Sequence, residues 1–308
     1  MTDTRVSRPT RSSSSLRHRR RRGVRSRWGY LLPAGVFLAA LAVFPLVQLL
    51  RLSLSDVQVQ NLHRDWPFIG LENFINGFTS GVLTDGLLNT LVFVVIVTII
   101  GLIGGIAAAV ALRGTGQVTG ALLGLMVFIW ALPPVVNGSV WKFLLADDGL
   151  FNSMLSLFGL SSFPFLYDER YALISVAVVN AWAVIPFNAL VFRAAVLNVP
   201  DEQFEAAQLD GATPRQEFWY VILPALRPTT LVLGVLTIVY AFRSFDFVYV
   251  MTKGGPGAST QTLPYLSYQQ AFVGYDFSAG AASAVVAVVV VLALAAVYAR
   301  SVLKEESE

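Results

Sequence analysis

Few side chains in this chain could do chemistry, and those few are better suited to binding than to breaking bonds. Asn180, Trp182, Pro186 and Asn188 interrupt an apolar run at residues 172–192. Amide groups beside an aromatic plate suit the hydroxyls and C–H faces of a sugar. Asn180 and Asn188 are eight residues apart, about two helical turns, so they share a face. The other reading is hydrogen bonding between helices, for which membrane bundles commonly use Asn. In a later apolar run Arg243 and Asp246 stand three apart, a spacing that permits an ion pair on one helix face. A charge at mid-membrane costs about 2.5–3.5 kcal/mol on insertion scales. These two lie toward the end of their run, where snorkelling lowers that cost. They read as a polar edge of a solute cavity or outer gate, or as a pair that holds one helix to a neighbour.

Composition excludes most catalytic chemistries. There is no cysteine, hence no disulfide, thiolate nucleophile or cysteine metal site. The two histidines, His18 and His63, lie far apart, in a basic tail and a polar loop. Neither a His-based triad nor a His-rich metal site is expected. Lys142, Lys253 and Lys304 follow Trp, Thr and Leu, so the Gly-Lys pair of a phosphate-binding Walker loop is missing. The chain is read as a non-enzyme with no metal and no cofactor. If ATP drives it, another chain hydrolyses the ATP.

The elements that position these residues are membrane spans. Hydrophobic residues make up 55% of the 308 and charged ones 13%, against roughly 25% charged in a soluble domain. Mean hydropathy is +0.64. A hydrocarbon core of roughly 30 Å needs about 20 apolar residues per helix. Six such runs occur: residues 30–50, 88–112, 121–141, 172–192, 230–250 and 280–299. Each is expected to be helical, because the bilayer offers backbone groups no other partner. The fold class is therefore an all-α membrane protein with six transmembrane helices. The first run is too long for a secretory signal and continues past any Ala-x-Ala site, so it reads as an uncleaved helix.

Pro133 and Pro134 should bend the third span, with Trp130 and Trp141 flanking the break and Asn137 after it. Irregular backbone at membrane depth is tolerated where it is buried in protein or lines a cavity, which places this span near the pore. Gly101/Gly105 and Gly120/Gly124 match the small-residue packing spacing.

Basic residues set the orientation. Ten arginines crowd residues 1–27, against the single acid Asp3. With the N-terminus inside, 16 of the 22 lysines and arginines fall on the cytosolic side, as the positive-inside rule requires. Both termini, and the loops near 113–120 and 193–229, are then cytosolic. Residues 1–27 are expected to be a disordered tail, 28–303 the six-helix domain, and 304–308 a cytosolic end. The tail reads either as a binder of anionic lipid or nucleic acid or as a disordered topology signal. The second reading, with no nucleic-acid partner, is preferred.

The loop after the fourth span is dense in local signals. Asp201 and Glu202 put negative charge at a helix start. Phe204, Ala207 and Gln208 share one face, and Gly211 permits a reversal. Thr213, Pro214 and Gln216 form a capping box with Pro at the first helical position, and Pro224 is expected to stop the second helix. The spacing predicts two short helices at the membrane surface, with Glu205 and Asp210 exposed.

Glu205-Ala206-Ala207, then Gly211, then Val221-Ile222-Leu223-Pro224, resembles the EAA loop of ABC importer permeases. Val221 stands where that family usually has Ile. Phe68 to Phe74, Asn89-Thr90, Met251 to Pro256, Ser259-Thr260 and Tyr268 to Phe272 are similar to further segments of its maltose-type carbohydrate branch. The resemblance covers about residues 28–300. It implies a type I ABC importer permease fold in a bacterial plasma membrane. It also implies one half of a pore, coupled to a separate ATPase through Glu205, Ala206, Ala207, Asp210, Gly211, Leu223 and Pro224. The implied partners are a second permease subunit, two ATP-binding subunits, an extracytoplasmic substrate-binding protein, a sugar and the lipid bilayer. Few in-span cations accompany Arg243, so a neutral sugar is preferred to a glycerol phosphate or another polar solute. A membrane enzyme would need paired carboxylates or a nucleophile–base set inside the spans, and a scaffold would not need the structured loop.

Overall fold

In the computed structural model, residues 28–305 are described. The expected disorder of the tail, residues 1–27, lies outside them. The chain divides into two units, Met1–Gln48 and Leu49–Glu308. The first contains most of helix α1 (Trp28–Ser53), whose apolar residues Phe37, Leu41 and Phe44 are exposed.

The second unit holds the remaining elements. Helix α2 (Glu72–Thr79) precedes the 30-residue α3 (Val82–Ala111). Next come α4 (Gln117–Ala131), α5 (Pro134–Leu144) and α6 (Leu150–Leu157). Helix α7 (Ala172–Leu197) leads to the loop helices α8 (Asp201–Leu209) and α9 (Pro214–Glu217). A π-helical turn (Phe218–Ile222) and the short α10 (Leu223–Ala225) then reach α11 (Arg227–Phe242). Helices α12 (Asp246–Met251), α13 (Leu263–Tyr268) and α14 (Phe277–Glu305) complete the unit.

Among the described residues, four helices are long and apolar enough to cross a membrane, and six spans result if each of two bent helix pairs counts as one. Helices α3 and α7 explain why. One face of α3 buries Phe93, Val97, Gly101, Gly105 and Ala109 at four-residue steps. Its opposite face exposes Leu88, Val92, Val95, Ile99 and Ile103. A helix apolar on all sides suits lipid on the face its neighbours leave free. A Cβ on Gly105 would lie 2.7 Å from the Asn188 Cβ on α7, so this glycine lets the two helices close. Gly120 and Gly124 have the same spacing, yet a Cβ on either would meet nothing within 4 Å.

The break expected at Pro133 and Pro134 is present, with α4 and α5 meeting at 101°, while two other expectations need correction. A residue before proline is pushed out of the α region, and Leu132 and Pro133 are extended at ψ 132° and 135°. The fifth run also breaks: α11 ends at Phe242 and α12 starts at Asp246. Across that break the Asn180 amide donates to Ser244 Oγ at 2.8 Å. Finally, Pro224 does not stop the loop's second helix. The wide π turn before it relieves the clash with the carbonyl four residues back. The helical path continues to Ala225 and only then bends by 67° into α11.

Two motif segments far apart in sequence prove to be neighbours. Asn89 Nδ2 donates to the Ala258 and Gln261 carbonyls, both at 3.2 Å. The Leu263 N–H donates to Thr90 Oγ1 at 2.8 Å. The start of α3 thereby holds the Gly-Gly-Pro loop.

Candidate functional site

The loop at residues 200–226 folds as its local chemistry dictates. Asp201 and Glu202 occupy the first turn of α8, where the helix dipole favours them. At its end the Ala212 N–H reaches the Ala207 carbonyl at 2.9 Å, and the Gly211 N–H reaches Gln208 at 3.0 Å. This is a Schellman closure. It needs the left-handed conformation that Gly211 adopts at φ +76°. The Thr213 N–H donates to Gln216 Oε1 at 2.8 Å and the Gln216 N–H to Thr213 Oγ1 at 3.4 Å, completing the expected capping box.

Glu205, Ala206, Asp210 and Gly211 lie on the exposed side of this loop, with Ala207 and Leu223 half-buried and Pro224 exposed. Sequence reasoning missed Leu209, an apolar side chain that is 89% exposed. Its place before the Asp210-Gly211 turn was the available signal. Trp219 and Tyr220 are exposed as well. Beneath the loop, Phe204 and Phe218 pack on a cluster of Ala109, Phe192, Val196, Ile222, Leu226 and Leu233. The loop thus presents a small, partly apolar surface on a seat built from α3, α7 and α11.

The second feature is a cavity of ≈ 330 Å³ where the α4–α5 break meets α7, α11 and α12. Its polar and aromatic lining is Trp130, Asn137, Phe187, Asn188, Thr237, Tyr240 and Phe247, and among the described residues no charged side chain lines it. Trp130 stacks on Phe187 with centroids 5.6 Å apart. Asn188 Nδ2 donates to Thr237 Oγ1 at 3.2 Å. One amide thus serves both readings, joining two helices while lining the cavity.

Of the five residues expected along a substrate path, only Asn188 lines this cavity. Asn180 is fully buried and bonds to Ser244, so it acts between elements. Trp182 stands edge-on to Trp141 at 5.1 Å. Arg243 and Asp246 lie on either side of the break, and no ion pair joins them. Their one-face pairing required a continuous helix that does not form. Trp130 and Asn137, which the sequence places beside the double proline of a pore-proximal span, do line the cavity, whereas Thr237 and Tyr240 in the fifth run carried no sequence signal.

Residues 100–304 match the family described as the binding-protein-dependent transport system inner membrane component. The chain is 29% identical over 245 residues to the trehalose/maltose transport system permease protein MalF of Thermococcus litoralis, covering 77% of this chain and 83% of that protein. It is 32% identical over 239 residues to the sn-glycerol-3-phosphate transport system permease protein UgpA of Agrobacterium fabrum, covering 77% of this chain and 81% of that one. In fold it is similar to a chain of a bacterial ABC transporter that imports the acidic polysaccharide alginate, with a TM-score of 0.73 and 23% identity over 89% of this chain and 94% of that one. With its apolar spans, its EAA-type loop and this family match over most of its length, the chain belongs to the binding-protein-dependent inner membrane permeases of ABC importers, as a multi-pass, non-catalytic transport subunit.

Proposed function

We propose that this permease carries a neutral sugar, of di- or oligosaccharide size, through the cavity beside the α4–α5 break. The observation that carries this reading is the lining: an aromatic plate, two amides, a threonine and a tyrosine, with no cation or carboxylate among the described residues. Aromatic faces and amides suit sugar C–H faces and hydroxyls. A phosphorylated solute would call for Arg or Lys at the site. The similarity to the sn-glycerol-3-phosphate permease supports a second reading, in which a glycerol phosphate is the cargo. Uptake of labelled trehalose, maltose and glycerol-3-phosphate, in cells with and without the chain, decides between them. Loss of glycerol-3-phosphate uptake alone would overturn the sugar reading.

In this reading the chain pairs with a second permease, two ATP-binding subunits and an extracytoplasmic binding protein. Glu205, Ala206, Ala207, Asp210 and Gly211 form the surface that the ATPase grips, and Leu223 and Pro224 form the joint to α11. The alanines allow close approach, and Leu209 adds an apolar contact. Both termini face the cytosol, which the arginine-rich start supports. Co-purification with an ATP-binding subunit, lost when residues 201–212 are deleted, is the expected result.

A further inference from the structure

We propose that Arg113 is a positioning residue that locks the loop helices α8 and α9 to the adjoining ends of α3 and α7, so that all four move as one body. This rests on the coupling role proposed above for the loop.

Arg113 follows α3 directly, and one guanidinium grips both loop helices. Its Nη1 donates to Glu217 Oε1 at 2.5 Å, and the group lies over the Phe204 ring, 5.0 Å from the centroid. Phe204 belongs to α8 and Glu217 to α9, so a single side chain spans the Gly211 reversal. The backbone that carries Arg113 is itself held. Arg193 of α7 donates from Nε to the Leu112 carbonyl at 2.7 Å and from Nη2 to the Gly114 carbonyl at 3.4 Å. The Glu217 side chain is 12% exposed and that of Arg113 41%. Removing the arginine would strand a largely desolvated carboxylate. The planar guanidinium suits both contacts at once, whereas an ammonium would hold the ion pair alone. The surface offered to a partner, Ala206, Leu209 and Asp210, is exposed, while Arg113 braces the loop from behind. Without that brace a pull on α8 would be spent in bending the reversal at Gly211. With it, the pull reaches α3 and α7.

The test uses the complex purified through a tag on the full chain, with ATP alone as the probe. Amide hydrogen exchange is followed over residues 201–217, and ATP hydrolysis is measured. In R113A and in E217Q the α8 amides are expected to exchange about 10-fold faster. The ATPase subunit should stay bound and KM for ATP should hold, while kcat shifts by about 3-fold or more as hydrolysis is freed from the helices. The exchanged pair R113E/E217R should recover part of both effects, since it restores the ion pair without the Phe204 contact. Wild-type exchange and turnover in both single variants would overturn the lock, as would an exchanged pair no better than the worse single variant. Should no ATPase subunit accompany the wild-type chain, the coupling reading fails instead. The exchange measurement on the chain still decides the lock.

Discussion

The loop at residues 200–226 and the cavity beside the α4–α5 break are built by opposite means. The loop is contiguous. Two caps, one glycine and a pair of anchoring phenylalanines fix it within some 20 residues. The cavity draws its lining from five helices, between Ile129 and Phe247, and no short segment of sequence contains it. A contiguous surface can be gripped as a unit by a partner. A site divided among helices changes shape whenever those helices shift, which is what a carrier that opens alternately to each side requires. On the proposed function, the difference separates a handle from a compartment.

The largest expected effect lies at the handle. Gly211→Asp forces a side chain into the left-handed region, a strain of about 1–3 kcal/mol, at the turn that sets the angle between α8 and α9. Uptake is expected to fall by about 10-fold or more with the protein still in the membrane. Glu205→Lys should do the same through the partner contact. Normal uptake with either change would remove the loop's lever role. A step smaller is the packing test. Gly105→Leu should wedge α3 from α7 and cost about 1–3 kcal/mol, read as a lower melting midpoint in detergent. Gly124→Leu, at the same sequence spacing in open space, should leave the midpoint unchanged. Equal losses would mean that α4 has a partner surface outside this chain.

The compartment gives the next effect. Trp130→Ala should raise KM for uptake by about 10-fold, a loss of roughly 1.4 kcal/mol. Asn180→Ala should lower stability by about 1 kcal/mol through the lost Ser244 bond and leave KM unchanged. A rise in KM for Asn180→Ala equal to that for Trp130→Ala would restore Asn180 to the path. The smallest effect concerns Arg243 and Asp246. Without an ion pair between them, their alanine substitutions should add within about 0.5 kcal/mol in a double-mutant cycle. A larger coupling would show that the two side chains meet after all.

Legibility in the sequence followed how far apart the determining atoms lie along the chain. The capping box at Thr213 and the turn at Gly211 were readable because every partner sits within five residues. Pro224 misled the reading, since its effect depends on the π turn that precedes it, a strain relief with no distinct residue signature. The Arg243–Asp246 spacing misled in the same way: it assumed a helix that breaks where Asn180 reaches across to Ser244. Asn180 and Asn188 are alike in type and lie on one face. Their roles diverge because Thr237, Tyr240 and the α4–α5 bend stand beside only one of them.

By itself the sequence determined that the chain lives in a membrane, that it brings no bond-breaking group, and where the structured loop at residues 200–226 lies. Each of these follows from composition or from contacts between near neighbours in the chain. Tertiary structure alone decided which glycines pack, where the fifth span breaks and which polar side chains share a cavity. Those outcomes depend on how α3, α7 and α11 meet, and the distance between two helices appears in neither helix's sequence.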